Sequence, residues 1–252
     1  MAGELAFNLQ QSFSEYDGWL LLASFLSFAA APEIYRSRGE FPGVWIAGEK
    51  GTGKTVGAKV CMALWGFSKL DQPMSFKSST TVNAIITLGQ MANIPDWGDE
   101  YKEGQLKEEG IKNIIHCGFN REIPGKWSPD GTTRKIRTNF IVTGESTCHN
   151  AATMDRFLTV GAAKENWKGD VATRDARFKW LLQNRRHFFA ITRTLLMRRQ
   201  DFVETVLEEL DAWEAEGGGD GPPAAVQRIV RRVLLVCECG QDGGSGFLPG
   251  DG

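Results

Sequence analysis

Apolar positions along this chain change period several times, and each change marks an element. Residues 16–36 are apolar almost all round, most densely over 20–31, which predicts a buried helix bent near Pro32. Val44, Trp45, Ile46 and Ala47 form a short β-branched and aromatic run, the pattern of a buried strand. Val56, Val60, Cys61, Leu64 and Trp65 then recur at helical spacing as far as Gly66. Thr80 and Thr81 are placed to cap a helix over 82–91, and Leu106, Ile111, Ile114 and Ile115 mark another. Strands are predicted over 139–144 and 158–160. The most periodic stretch is 174–199, where Phe178, Leu181, Leu182, Phe188, Phe189, Leu195 and Leu196 define one apolar face. An acidic helix over 201–216 follows it. Short apolar strands alternating with helices predict an α/β fold with a central parallel sheet and a helical C-terminal region.

At the ends the pattern fades. Residues 1–16 predict a loosely ordered N-terminal extension to a domain over 17–200. Residues 201–238 form a C-terminal helical region, with a Gly/Pro linker at 216–223 and a helix over 224–237, and 239–252 read as a disordered tail.

Composition narrows the classes. The chain has 252 residues, enough for one substantial core. A net charge of −2 means that any nucleic-acid or membrane contact must rest on local charge. The apolar run at 20–31 is short of the roughly 20 residues that a bilayer span needs. Five scattered cysteines without a C-x-x-C pair suit reduced thiols, and no basic-then-apolar leader is visible, so a cytoplasmic protein with no membrane partner is expected. The pairs His116-Cys117 and Cys148-His149 match no familiar zinc spacing. With three histidines and no G-x-S-x-G elbow, there is no hydrolase triad.

The chemistry concentrates at GEKGTGKT, which joins the 44–47 strand to the next helix. It fits G-x-x-x-x-G-K-[ST], and a strand, a glycine-rich loop and a helix in that order aim backbone N–H groups at phosphate. Gly48, Glu49, Lys50, Gly51, Thr52, Gly53, Lys54, Thr55 and Val56 are therefore the candidate nucleotide-binding residues. Lys54 is placed for the β- and γ-phosphates and Thr55 for Mg²⁺. No guanine-reading Asn/Thr-Lys-x-Asp occurs late in the chain, which leaves ATP as the expected nucleotide. Asp99 and Glu100 are candidates for the Mg²⁺ ligand and for the base that polarises water. Pro95, Asp96 and Gly98 interrupt the strand they should follow, and an exposed acidic loop is the alternative. Thr143 and Glu145, at the end of the 139–144 strand, are candidates for sensing the γ-phosphate. Arg156 is placed to reach a nucleotide, its own or a neighbouring subunit's. Between 118 and 137, Arg121, Lys126, Arg134, Lys135 and Arg137 surround Trp127, the combination of charge and ring that single strands favour; a solvated hairpin is the alternative. Along 174–199, Arg185 falls on the apolar stripe itself, while most other cations there read as a solvated face or as partners of the acidic helix.

This ordered set resembles the helicase-type ATPase domain of phage, plasmid and integrated-element replication proteins, often fused to a primase. These are similar to superfamily 3 helicases and the wider AAA+ class. The resemblance covers roughly residues 17–200 and rests on GEKGTGKT, IPDWGDEYK, FIVTGES and the Arg in MDRF. It implies a P-loop NTPase fold and ATP hydrolysis with Mg²⁺, using Lys54, Glu100 and Arg156 catalytically and Thr55 and Asp99 as metal ligands. It also implies contact with single-stranded DNA and a homo-oligomer, hexameric in the fullest form. Glu145 stands where such helicases often carry Asn. A switch or assembly ATPase without unwinding activity and a small-molecule P-loop kinase remain as alternatives.

Overall fold

A computed structural model describes residues 1–13, 15–69, 74–75, 92–101, 119–123, 134–135, 137–149, 151–166 and 168–215. The expected helices over 82–91, 106–115 and 224–237, the 216–223 linker, the 239–252 tail, Lys126 and Trp127 lie outside them.

The core is a five-stranded sheet of order β2-β3-β6-β1-β7, every neighbouring pair parallel. Its strands are β1 (Gly43–Ala47), β2 (Met74–Ser75), β3 (Ala92–Tyr101), β6 (Arg137–Gly144) and β7 (Phe157–Gly161). Between β3 and β6, β4 (Glu122–Ile123) and β5 (Arg134–Lys135) pair as a separate antiparallel hairpin. Central β1 buries Val44, Trp45 and Ile46 completely, as an apolar run covered on both faces must. β3 is the strand that composition argued against. Its pairing with β6 shifts register between Ala92 and Pro95, and such an irregularity admits a proline that cannot donate to the ladder. The strand continues through Asp99 and Glu100 to Tyr101, so the acidic pair lies within it rather than after it.

Residues 1–16 do not form a loose extension. Leu5, Leu9 and Phe13, four residues apart, are all buried, and α1 (Ala2–Ser12) packs them against α2 (Glu15–Ser27) and the long helix Val171–Met197. Burying each such side chain stabilises the fold by about 1.5–3 kcal/mol. The apolar stretch after it is a core helix in two parts. α2 ends in a 3-10 turn, Phe28–Ala30, and α3 (Ala31–Arg38) restarts with Pro32 in its first turn, where a missing N–H costs nothing. Gly39, at φ 77°, closes α3 with its N–H on Tyr35 O.

α4 (Lys54–Leu64) follows β1, and α5 (Ala151–Met154) precedes β7. Beyond β7, Asp170 caps α6 (Val171–Met197) by accepting the Thr173 N–H at 2.8 Å. Leu181, Phe188, Ile191 and Leu195 of α6 are buried, with α4 as its principal partner. α7 (Arg199–Ala215) buries Phe202, Val203 and Val206 in the same core. Ion pairs from Arg199 to Glu33 and from Arg38 to Asp211 tie it to α3.

Candidate functional site

β1 delivers the 48–53 loop between the ends of its two neighbours. The Gly48 N–H donates to Gly144 O at the end of β6 (3.1 Å), and the Ala162 N–H, just past β7, donates to Ala47 O (2.7 Å). The loop is held so tightly that a Cβ on Gly48 would lie 1.9 Å from the Ala162 carbonyl oxygen. Gly53 has φ 97°, and a Cβ there would meet the Phe178 ring of α6 at 2.3 Å. Gly53 also occupies the N-cap of α4 without a side-chain cap. The first-turn amides of α4 therefore face the loop with no side-chain acceptor, backed by the positive end of the helix dipole.

Lys54 folds back over this loop. Its Nζ donates to Gly48 O (2.5 Å) and Glu49 O (2.6 Å), and the Thr52 hydroxyl donates to Glu49 O (2.8 Å). Burial pushes the Lys54 pKa down, while the carboxylates of Glu145 and Asp99 act in the opposite sense. Thr55 is exposed in the first turn of α4, and Val56 is half-buried against the core. Glu49 and Lys50 are exposed; Glu49 lies 3.8 Å from Lys164, a solvated pair of little strength.

On the strand next to β1, Thr143 of β6 is fully buried. Its hydroxyl donates to Asp99 Oδ1 and accepts the Trp97 indole N–H at 2.9 Å. A hydroxyl has a single proton. The indole fixes which side of the oxygen accepts, and the proton is left to Asp99. Glu145 is exposed immediately beyond β6, with its N–H directed at Tyr101 O (3.4 Å). The structure thus gathers the loop, Lys54, Thr55, Asp99, Thr143 and Glu145 at the C-terminal ends of the parallel strands, where open α/β sheets hold ligands. The side chain of Glu100 lies outside the described residues.

Arg156 is elsewhere. Its carbonyl accepts the N–H of Gly43, the first residue of β1, whereas the loop leaves the other end of that strand. Five residues of strand separate them by about 16 Å. The guanidinium donates to Ala152 O and lies 5.3 Å over the Phe119 ring. Arg156 does not reach the loop of its own chain, which removes one of the two roles expected of it.

The basic segment is divided as well. Arg121 is buried beneath the Tyr35 and Phe41 rings with its Nη2 on Asn139 Oδ1 (2.7 Å), so it is a structural arginine. Arg134 and Lys135 form one strand of the β4–β5 hairpin. Cys148 is a buried free thiol, His116 and Cys117 lie outside the described residues, and no metal-binding cluster occurs among the described ones.

Three parts of this site were not read from the sequence. Trp97 stands among the residues that interrupt β3 and has no role in the sequence reading, Ala162 contributes only its backbone, and Phe178 is in sequence an ordinary member of an apolar stripe. The spacing of Trp97 two residues before Asp99, on the same side of a strand, was the available signal for the first.

No protein-family model matches the chain, and no curated protein matches it. Among solved structures it resembles a chain described as the active helicase Cch of SCCmec type IV, with a TM-score of 0.56 and 15% identity over 94% of this chain. The chain spans about half of that protein, 49% of its length. At this identity the likeness is one of fold: a helicase shares the α/β arrangement of strands and helices found here.

Proposed function

We propose that this chain binds ATP with Mg²⁺ at residues 48–55 and couples its hydrolysis to movement along nucleic acid, as a P-loop, AAA+/superfamily 3-like DNA replication helicase of a phage, plasmid or integrated element. The observation that carries this reading is the position of Lys54. It sits on loop carbonyls at an uncapped helix N-terminus, within the electrostatic reach of Asp99 and Glu145. The residues present fit a metal-bound polyphosphate: amides and an ammonium for the anion, a hydroxyl and an oriented carboxylate for the cation. The fold shared with a helicase supports the motor half of the proposal.

Phosphoryl transfer depends on positioning and charge neutralisation rather than on covalent help from the protein. Lys54 and the first-turn amides of α4 would hold the phosphates, and Thr55 and Asp99 the metal. Thr143 fixes the Asp99 carboxylate. Mg²⁺, when bound, neutralises phosphate charge. Glu100 would take the proton of the attacking water, and Glu145 would sense the γ-phosphate beside it. Arg156, remote from its own loop, would serve the site of a neighbouring copy, which implies a ring, hexameric in the simplest form. The chain would work in the cytoplasm. Single-stranded DNA is the expected track, and Arg134 and Lys135 of β5 would be among the residues that meet it. Residues 16–38 are long and apolar enough to cross a bilayer by composition, but they are mostly buried inside the fold and are read here as core.

ATPase rates with and without single-stranded DNA, across protein concentration, test the proposal. The expected result is DNA stimulation that rises cooperatively with protein and is lost in Lys54→Ala and Arg156→Ala. Flat turnover, indifferent to DNA at every concentration, overturns the motor; turnover unchanged in Lys54→Ala overturns the site.

A further inference from the structure

The solvent face of α6 has a regularity that packing does not require. Lys179, Arg186 and Arg193 are spaced seven residues apart, which returns each to nearly the same side of the helix, about 10 Å further along. All three are exposed, as are Gln183 and Ala190 between them. The acidic residue of the helix, Asp175, lies at its start and is paired with Arg174. The other cations near the α6–α7 junction are engaged, Arg198 with Asp201 and Arg199 with Glu33. Among the described residues Lys179, Arg186 and Arg193 form no ion pair with an acid, and Arg186 Nε donates to His187 Nε2 at 3.0 Å.

Apolar surface accompanies this charge. Phe189 and Leu196 are each 40% exposed and Met197 75%, so the stripe has an aromatic ring and two aliphatic side chains along one margin. At its N-terminal end the stripe opens into a shallow groove shared with α4, where Lys59, Lys179 and Arg185 outnumber the single acid Asp175 and Phe178, Leu182 and Gln183 complete the lining. Cations at regular intervals beside an exposed ring are what a single-stranded nucleic acid requires, charge for the backbone and a face for a base. One side of the Phe189 ring covers Gly66 at the end of α4, but its other side and Met197 face solvent, which a purely solvated helix face would not need.

We propose that the exposed face of α6, from Lys179 through Arg186 and Phe189 to Arg193, is a binding track for single-stranded nucleic acid that enters at the α4–α6 groove. The proposal rests on the motor reading above and deepens it. Phe178 stands over Gly53 at one end of the track, so the strand and the nucleotide loop contact the same helix pair. Backbone charge and base stacking supply the affinity, and sequence preference is weak.

The test is fluorescence anisotropy of a labelled 30-mer of oligothymidine with the full chain over a range of salt. The comparison is between wild type, the triple Lys179→Gln, Arg186→Gln, Arg193→Gln variant, and Phe189→Leu. The three cations are exposed and Phe189→Leu keeps an apolar side chain over Gly66, so the fold and the DNA-free ATPase rate should be unchanged. The salt slope of log K should become shallower by about 2 in the triple variant, since each cation contributes roughly 0.7 on a single strand. Phe189→Leu should bind about tenfold more weakly with the slope unchanged. Wild-type binding with the same slope in the triple variant overturns the track and leaves the motor standing. No wild-type binding overturns both the track and the nucleic-acid half of the proposed function. A triple variant that changes sedimentation instead of DNA affinity overturns the track by making this face a contact between copies, with the exposed acids Glu204 and Glu208 of α7 as its counterpart.

Discussion

The hydroxyl of Thr143 on β6 donates a hydrogen bond to the carboxylate of Asp99 on β3, across neighbouring strands beside the 48–53 loop. The Trp97 indole, 2.9 Å from the same oxygen, makes that donation the hydroxyl's main outlet. Thr143→Val removes the orienting bond and strands a buried indole N–H, at a cost of about 1–3 kcal/mol in stability. Groups that orient a metal ligand are typically worth 10–100-fold in metal affinity or activity. An Mg²⁺ titration of ATPase activity should therefore shift to higher Mg²⁺ by about that factor in Thr143→Val. Trp97→Phe should shift it in the same direction, and Thr143→Ser should hold close to wild type.

Gly48 and Gly53 are fixed by different neighbours and should fail differently. In Gly48→Ala the new methyl meets a backbone oxygen that cannot swing away. The expected result is loss of nucleotide binding together with a drop in melting temperature. In Gly53→Ala the methyl meets the Phe178 ring, in a backbone conformation that L-residues rarely adopt. Pairing it with Phe178→Ala should recover part of the stability but not the backbone strain, and a double-mutant cycle by thermal denaturation measures the difference.

Burial lowers the Lys54 pKa, so the ammonium loses its proton at a lower pH than an ordinary lysine does. Polyphosphate binding favours the charged form. Nucleotide affinity should therefore be highest below the Lys54 pKa and fall as pH rises through it, with proton uptake on binding in that window. Lys54→Arg, charged throughout, should flatten the profile. In the nucleotide-free protein the sign is opposite. The unfolded chain binds the extra proton there, so stability rises with pH across the same window. Isothermal calorimetry in buffers of different ionisation enthalpy checks the proton uptake.

Asp96 is 8% exposed in the middle of β3, with Oδ2 buried and unpartnered among the described residues, and burial raises its pKa. The folded state therefore holds this proton more tightly than the unfolded chain does. The contribution to stability is present below the ordinary carboxylate range and lost as pH rises through the folded value. Asp96→Asn, which carries no charge, should be more stable than wild type at neutral pH by about 1–3 kcal/mol, with the gap closing as pH falls. Urea unfolding at several pH values measures it.

The glycine-rich loop, β1, β6, β7 and α6 were legible because each announces itself within about ten residues, by periodicity or by a motif. α1 was not. Its apolar contacts are few and flanked by polar residues, and Leu5, Leu9 and Phe13 become a helix face only when α2 and α6 are there to cover them. β3 was legible in position but not in quality, because Pro95 is acceptable only through a register shift against β6 that local sequence does not encode. The site divides the same way. Lys54 and Thr55 follow from local spacing. The Thr143–Asp99 bond and the remoteness of Arg156 depend on strand order, in which β6 and β7 flank β1.

Phe178 against Gly53 gives α6 a mechanical role. The helix is 27 residues, about 40 Å, and this contact lies near one end of it. A change in loop shape that pressed on the ring would tilt the helix about its buried seat on α4. With the pivot at Leu181, the first buried residue beyond the ring, a tilt of roughly 10° would move Phe178 by about 0.8 Å and Arg193, about 18 Å past the pivot, by about 3 Å. A sub-ångström event at the loop would in this way be amplified into a displacement comparable to the spacing between stacked bases.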